Sequence, residues 1–212
     1  MQCLNLKEEK KLWKKGFKRV VGLDEVGRGP LAGPVVACAV FIKKDFKIIK
    51  GVNDSKKLSE KQREDLYKIL VNHPQIKWGI GIVSEKTIDK INILQATKLA
   101  MQKSLKNLNP DFLLLDGNFK IEFKRAAFAE GFGEPKQKPV VKGDQKVFSI
   151  AAASIIAKVT RDRLMQKMHK KYPMYGFDKN KGYGTRVHFA NIEKFGPSKI
   201  HRRTFWPVSK FN

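Results

Sequence analysis

Apolar and polar positions along the chain fall into short segments of two kinds. Residues 6–17 put Leu6, Leu12, Trp13 and Phe17 on one side of an otherwise basic stretch, which predicts an amphipathic helix. Residues 20–23 and Val35–Ile42 are apolar and rich in β-branched side chains, so they predict strands. The Gly-Pro-rich segment 27–34 between them reads as a loop. Ser59 predicts the N-cap of a helix running to about Leu70, with Glu60 and Glu64 suited to its positive end. Ile76–Val83 alternates as a strand, and residues 84–108 carry helical spacing in two pieces, ended by Pro110. Residues 112–115 are wholly apolar, the pattern of a strand buried on both faces. Residues 131–139 predict a loop and Val140-Val141 a small strand. Residues 147–168 predict a long helix, in which Ala151, Ala152, Ala153 and Ala157 allow close packing, and Arg186–Phe195 a last one. This order predicts an α/β fold, a mixed central sheet flanked by helices. The expected organisation is one domain over 1–212, with residues from about 160 forming a small helical lobe.

Size and charge narrow the possibilities. A chain of 212 residues buries roughly 70% of its unfolded surface and needs no disulfide staples. Cys3 and Cys38 with His73, His169, His188 and His201 show no zinc-ligand spacing. The longest apolar runs, Val35–Ile42 and residues 150–157, fall far below the ~20 residues of a membrane span. Residues 7–18 are basic rather than leader-like, so a cytoplasmic location is expected. The 44 Lys and Arg against 20 Asp and Glu give a net charge of +24. Such an excess points to a polyanionic partner, nucleic acid ahead of an anionic membrane surface.

Against that background the informative residues are the acids. Asp24-Glu25 follows the apolar strand 20–23, Asp116 follows strand 112–115, and Asp144 precedes the Ala-rich helix. Carboxylates at the carboxyl ends of buried strands stand where α/β sheets place ligands. Four of them together need cations, and hard oxygen donors suit Mg²⁺ or Mn²⁺. Two such ions serve phosphodiester hydrolysis. Taken singly, Asp116-Gly117 also suits a turn and Asp144 a helix N-cap. Gly27-Arg28-Gly29-Pro30-Leu31-Ala32-Gly33-Pro34 fails as a dinucleotide loop, because the third glycine comes late and a strand follows. Its glycines instead let the backbone approach a sugar-phosphate, with Arg28 as a charged fork.

These residues also carry a resemblance. Asp24-Glu25-Val26-Gly27-Arg28-Gly29-Pro30-Leu31-Ala32-Gly33-Pro34 is similar to the signature of type 2 ribonuclease H, the bacterial ribonuclease HII family. Further matches follow in the family's order. They are Asn53-Asp54-Ser55-Lys56-Lys57-Leu58, Ile91-Asn92-Ile93-Leu94-Gln95-Ala96-Thr97, Leu115-Asp116-Gly117, Val141-Lys142-Gly143-Asp144 and residues 151–162. Lys181-Gly182-Tyr183-Gly184-Thr185 and Ile200-His201-Arg202-Arg203-Thr204-Phe205 close the series. The matches span residues 20–208, nearly the whole chain.

The resemblance implies an RNase H-like fold and an endoribonuclease. Such an enzyme cleaves the RNA strand of RNA–DNA hybrids and cuts 5′ of ribonucleotides embedded in duplex DNA, leaving 3′-hydroxyl and 5′-phosphate ends. It implies Asp24, Glu25, Asp116 and Asp144 as catalytic, metal-binding carboxylates, with two Mg²⁺ or Mn²⁺ ions as cofactor. It implies that Gly27, Arg28 and Gly29 read the ribose 2′-hydroxyl, that Tyr183 stacks on the following deoxyribose, and that Lys56 contacts a phosphate. Partners are then RNA–DNA hybrid and ribonucleotide-containing duplex, with the protein a monomer.

Residues 118–139 make a long connection between the third and fourth acids, and residues 205–212 show no clear sliding-clamp-binding motif. His201-Arg202-Arg203 fits a surface basic patch or a phosphate contact equally, and Trp13, Trp78 and Trp206 predict packing. A non-enzymatic nucleic-acid-binding protein would share the charge but not need the four acids. Type 3 ribonuclease H would share the fold but lack Gly27-Arg28-Gly29.

Overall fold

The side chains of the strands alternate between two separate cores. The computed structural model describes residues 4–123 and 133–211. The strands are β1 (Val20–Val26), β2 (Val35–Ile42), β3 (Ile76–Val83), β4 (Phe112–Asp116) and β5 (Lys136–Val140). They form one sheet in the order β3-β2-β1-β4-β5. The pairs β1–β2 and β2–β3 are antiparallel, while β1–β4 and β4–β5 are parallel, so the sheet is mixed.

Successive residues of a strand face opposite sides. Val20, Val36, Cys38, Val40, Ile42, Phe112 and Leu114 enter one apolar cluster; Val21, Leu23, Val35, Ala37, Leu113 and Leu115 enter the other. The first face is covered by α1 (Lys7–Lys14), α2 (Glu60–Asn72) and α4 (Phe148–Lys171), the second by α3 (Glu85–Ser104). Each fully buried Val or Leu contributes roughly 1.5–3 kcal/mol, so misplacing either face would cost more than the fold's net stability.

Local chemistry sets the helices. Ser59 caps α2 in a reciprocal capping box with Gln62. Within α3, Asn92 sits at φ 64° and breaks the helix into two pieces, its Oδ1 accepting from Gln95 N at 3.1 Å. The two-piece expectation for this region therefore holds. The long helix α4 lies close on β1 because residue 22 is glycine: a Cβ there would stand 2.5 Å from Ser149. Val147 at its N-cap has no capping side chain. Glu9 of α1 takes over, accepting from Ser149 N and Oγ at 2.9 Å each. A third apolar cluster, including Leu31, Met165, Phe177 and Ile192, joins the 27–34 loop, α4, the short α5 (Phe177–Asn180) and α6 (Arg186–Phe195).

Two expectations need correction. Residues 136–139 form most of β5 rather than a loop, and Val141 lies outside the strand, exposed. Its Lys-Gln-Lys-Pro composition hides a strand, but β5 is an edge, where Pro139 leaves no partner strand without a donor. Residues 133–135 of that loop carry no regular structure, as expected; residues 131–132 of it, residues 124–132 of the long connection and Cys3 lie outside the described residues. Trp206 is 70% exposed with Lys210 Nζ 5.1 Å from its ring centroid, so it is not a packing residue. Trp13 is buried, and the partly exposed Trp78 donates its indole N–H to Val71 O at 3.2 Å.

Candidate active site

The parallel pairing of β1 and β4 brings two of the predicted acids together. Leu23 is opposite Leu115, so Asp24 and Asp116 extend from neighbouring strands at the same end of the sheet. Asp144 arrives from a short 3-10 turn, Gly143–Gln145, that precedes α4. Gly143 N donates to Asp116 Oδ1 at 2.7 Å and ties this turn to β4. Since α4 is capped at Val147 and held by Glu9, Asp144 is not its N-cap. Glu25, next to Asp24, bonds Arg28 Nη1 at 3.4 Å through Oε1.

The four carboxylates repel one another. Asp24 is buried, and burial followed by the charges of Glu25 and Asp116 pushes its carboxyl well above the usual range. Burial also raises Glu25, an effect that Arg28 offsets and Asp116 reinforces. Asp144 is pushed up to about 6 by burial, then by Asp116 and Asp54. Asp116 thus acts on each of the other three. The Glu25 Oε2 atom is buried without a hydrogen-bond partner among the described residues.

This donor set fits a hard divalent cation: oxygen ligands, excess negative charge and a carboxylate oxygen with nothing to bind. Among the described residues no group of three His, Cys, Asp or Glu side chains is already drawn into a coordination shell. The charge of Asp116 is felt by Asp24, Glu25 and Asp144 alike, so the acids lie near one another.

Two residues of the Asn53–Leu58 motif join the cluster, although only one was expected there. Lys56 is exposed; burial works against its charge, but Asp144, Asp24, Asp54 and Asp116 hold its ammonium above the ordinary value. Asp54, which sequence reasoning assigned no role, is buried close to Asp144, and its charge raises the Asp144 carboxyl further. Asp54 Oδ1 also accepts from Lys56 N at 2.9 Å, and Oδ2 from Gln145 Nε2 at 3.2 Å. Its signal was present: an acid directly before two lysines, in a motif already singled out.

The Gly27-Arg28-Gly29 loop leaves β1 beside these acids. Gly27 has φ +93°, and a Cβ there would overlap the Arg161 side chain. Tyr183, 41% exposed, stands against Gly29: a Cβ on Gly29 would lie 3.9 Å from its ring. Gly27, Arg28, Gly29 and Tyr183 therefore share one rim of the site, while Lys56 is linked to it through its acidic neighbours.

Arg202 overturns the reading of His201-Arg202-Arg203 as a surface patch or phosphate contact. His201 and Arg202 are both buried. Burial, followed by the nearby charge of Arg161, holds the Arg202 guanidinium down to about 9. Arg161 is equally buried, with its guanidinium lowered by burial. Arg161 donates to the carbonyls of Pro34, Lys181 and Ala32 at 3.0, 2.9 and 3.2 Å. Helical spacing could have flagged it, because Arg161 lies between Ala157 and Met165 on the buried face of α4.

The architecture defines the class of protein. The ribonuclease H2 of Pyrococcus horikoshii superposes with a TM-score of 0.71 at 30% identity, over 91% of this chain and 96% of that one. This is the ribonuclease H fold, and the protein is a ribonuclease H enzyme. The Ribonuclease HII family model matches residues 21–208. The Chlamydia caviae ribonuclease HII is 51% identical over 205 residues, covering 94% of this chain and 90% of that protein. That of Acetivibrio thermocellus is 52% identical over 199 residues, covering 93% and 73%. The chain belongs to the ribonuclease HII family.

Proposed function

We propose that this protein hydrolyses the RNA strand of RNA–DNA hybrids and incises duplex DNA 5′ of an embedded ribonucleotide, in the cytoplasm. The products are a 3′-hydroxyl and a 5′-phosphate. The observation that carries this reading is the set of mutually repelling acids at one end of the sheet, with Glu25 Oε2 buried and unbonded. A cluster with so little compensation is costly unless cations complete it.

Asp24, Glu25, Asp116 and Asp144 would hold Mg²⁺ or Mn²⁺. When bound, such ions supply Lewis acidity for activating water and for charge on the departing 3′-oxygen. The chain's own residues position the substrate around them. Gly143 N orients the Asp116 carboxylate, and the Asp54–Gln145 bond steadies the turn that carries Asp144. Lys56, exposed beside the acids, neutralises a phosphate that approaches them. The Gly27-Arg28-Gly29 backbone meets the ribonucleotide, where its N–H groups suit the 2′-hydroxyl that separates RNA from DNA. Tyr183 offers an aromatic face to the next sugar.

The test is incubation with a duplex containing one ribonucleotide, with Mg²⁺ or Mn²⁺ added. The expected outcome is a single cut 5′ of the ribonucleotide, and at least ~10²-fold slower incision by Asp24→Asn. An intact duplex with the native chain, or full-rate cutting by Asp24→Asn, would refute the reading.

A further inference from the structure

The 27–34 loop is held from behind by an arginine, Arg202, that forms no ion pair among the described residues. The Arg202 Nη1 atom donates to Arg28 O at 2.8 Å, Nη2 to Gly27 O, and Nε and Nη2 to Gly33 O at 3.1 and 2.9 Å. Its guanidinium also lies over the Phe205 ring, 4.9 Å from the centroid. A planar fork of five donors suits this task, which an ammonium could not fill.

The grip has a directional consequence. In a trans peptide unit the carbonyl of one residue and the N–H of the next point opposite ways. Drawing Gly27 O and Arg28 O onto one guanidinium therefore turns the N–H groups of Arg28 and Gly29 away from it together. Neither N–H donates to an acceptor among the described residues. Two adjacent donors thus leave the loop on the side opposite Arg202. Arg161 fixes the further limb through Ala32 and Pro34, and fixes Lys181 two residues before Tyr183.

We propose that Arg202 is a specificity-positioning residue: by holding the carbonyls of Gly27 and Arg28 it aims the N–H groups of Arg28 and Gly29 at the substrate. It thereby sets how strongly a ribose is preferred over a deoxyribose. This rests on the reading above that the loop meets the ribonucleotide. Arg202 itself touches no substrate; its effect passes through backbone planarity.

The experiment measures binding to two duplexes that differ only by one 2′-hydroxyl, with Ca²⁺ in place of Mg²⁺. For a folded Arg202→Lys the ratio of ribo to deoxy affinity is expected to fall about tenfold, because donors that no longer face the hydroxyl cannot favour it. Affinity for the all-deoxy duplex stays within about twofold, since its phosphate contacts are unaltered. Ile192→Val loosens the same apolar cluster without touching the clamp, and leaves the ratio unchanged. An unchanged ratio in Arg202→Lys, or an equal fall in Ile192→Val, overturns the proposal.

If Arg202→Lys does not fold, Phe205→Leu removes the ring beneath the guanidinium and keeps the fork. A loss of about two- to threefold in the ratio is then expected, and no change overturns the proposal. A native chain that neither cuts nor prefers the ribonucleotide duplex fails the functional reading instead. Native preference with an unaltered variant fails this inference alone.

Discussion

Two clusters of buried charge flank the Gly27-Arg28-Gly29 loop, and they are compensated in opposite ways. On the strand ends, Asp24, Glu25, Asp116 and Asp144 stand together with few partners, and burial and like charge raise the carboxyls of Asp24, Glu25 and Asp144. Behind the loop, Arg161 and Arg202 are surrounded by backbone carbonyls, and every nitrogen of both guanidiniums has an acceptor. The arginine cluster is complete as it stands and serves rigidity. The acid cluster is uncompensated, and the proposed divalent ions would supply the positive charge it lacks. The proposed function thus sits where the protein has left its electrostatics unfinished.

The largest expected effect tests the completed side. Truncating Arg202→Ala strands the carbonyls of Gly27, Arg28 and Gly33 in a buried setting, and should cost about 3 kcal/mol in urea unfolding. Asp24→Asn should show the reverse sign. The Asp24 carboxyl is raised in the folded chain, so its ionised form at neutral pH opposes folding. In the absence of divalent ions the variant should unfold at or above the native midpoint. Similar losses in both variants would erase the contrast.

Metal supplies the next test. Mg²⁺ or Mn²⁺ at a hundredfold excess over its dissociation constant should stabilise the native chain by about 2.7 kcal/mol. The gain should shrink sharply in Asp24→Asn and persist in Arg202→Lys. Equal stabilisation of the native chain and Asp24→Asn would move the ion elsewhere.

A smaller effect separates the clusters by pH. His201 is held down to about 3 by burial, then by His188 and Arg203. Its folded value lies below the unfolded one, so its contribution is full above pH 6.5 and lost as pH falls toward 3. Between pH 7 and 5 the native chain should lose about 2 kcal/mol more than His201→Gln. The two rings share an Nε2–Nε2 hydrogen bond of 3.1 Å, which protonation of both would break. Parallel pH profiles would exclude His201 as the origin.

Most of the sheet was legible because strand alternation and apolar runs report burial directly. β2, β3 and α6 match their predicted bounds. β5 was not legible, since an edge strand buries little and tolerates lysine and proline. Of the site, the residues expected at the strand ends come together, but Asp54 escaped assignment and Arg202 was read as a surface or phosphate-contacting residue. Their roles depend on what stands opposite, an acid for one and three carbonyls for the other. A sequence written in one dimension does not show the partner. Basic composition misled in the same way: among 44 Lys and Arg, a buried arginine has no compositional mark.

The parallel pairing of β1 with β4 also limits how this chain could change over time. Asp24 and Asp116 share a side of the sheet only because Leu23 stands opposite Leu115. One residue gained or lost inside β4 would turn Asp116 toward α3 and exchange every core side chain of that strand. Insertions in the turns between strands and helices carry no such penalty. Descendants of this sequence are free to alter the distance between their acids along the chain, but not the odd-even phase in which each acid follows its strand.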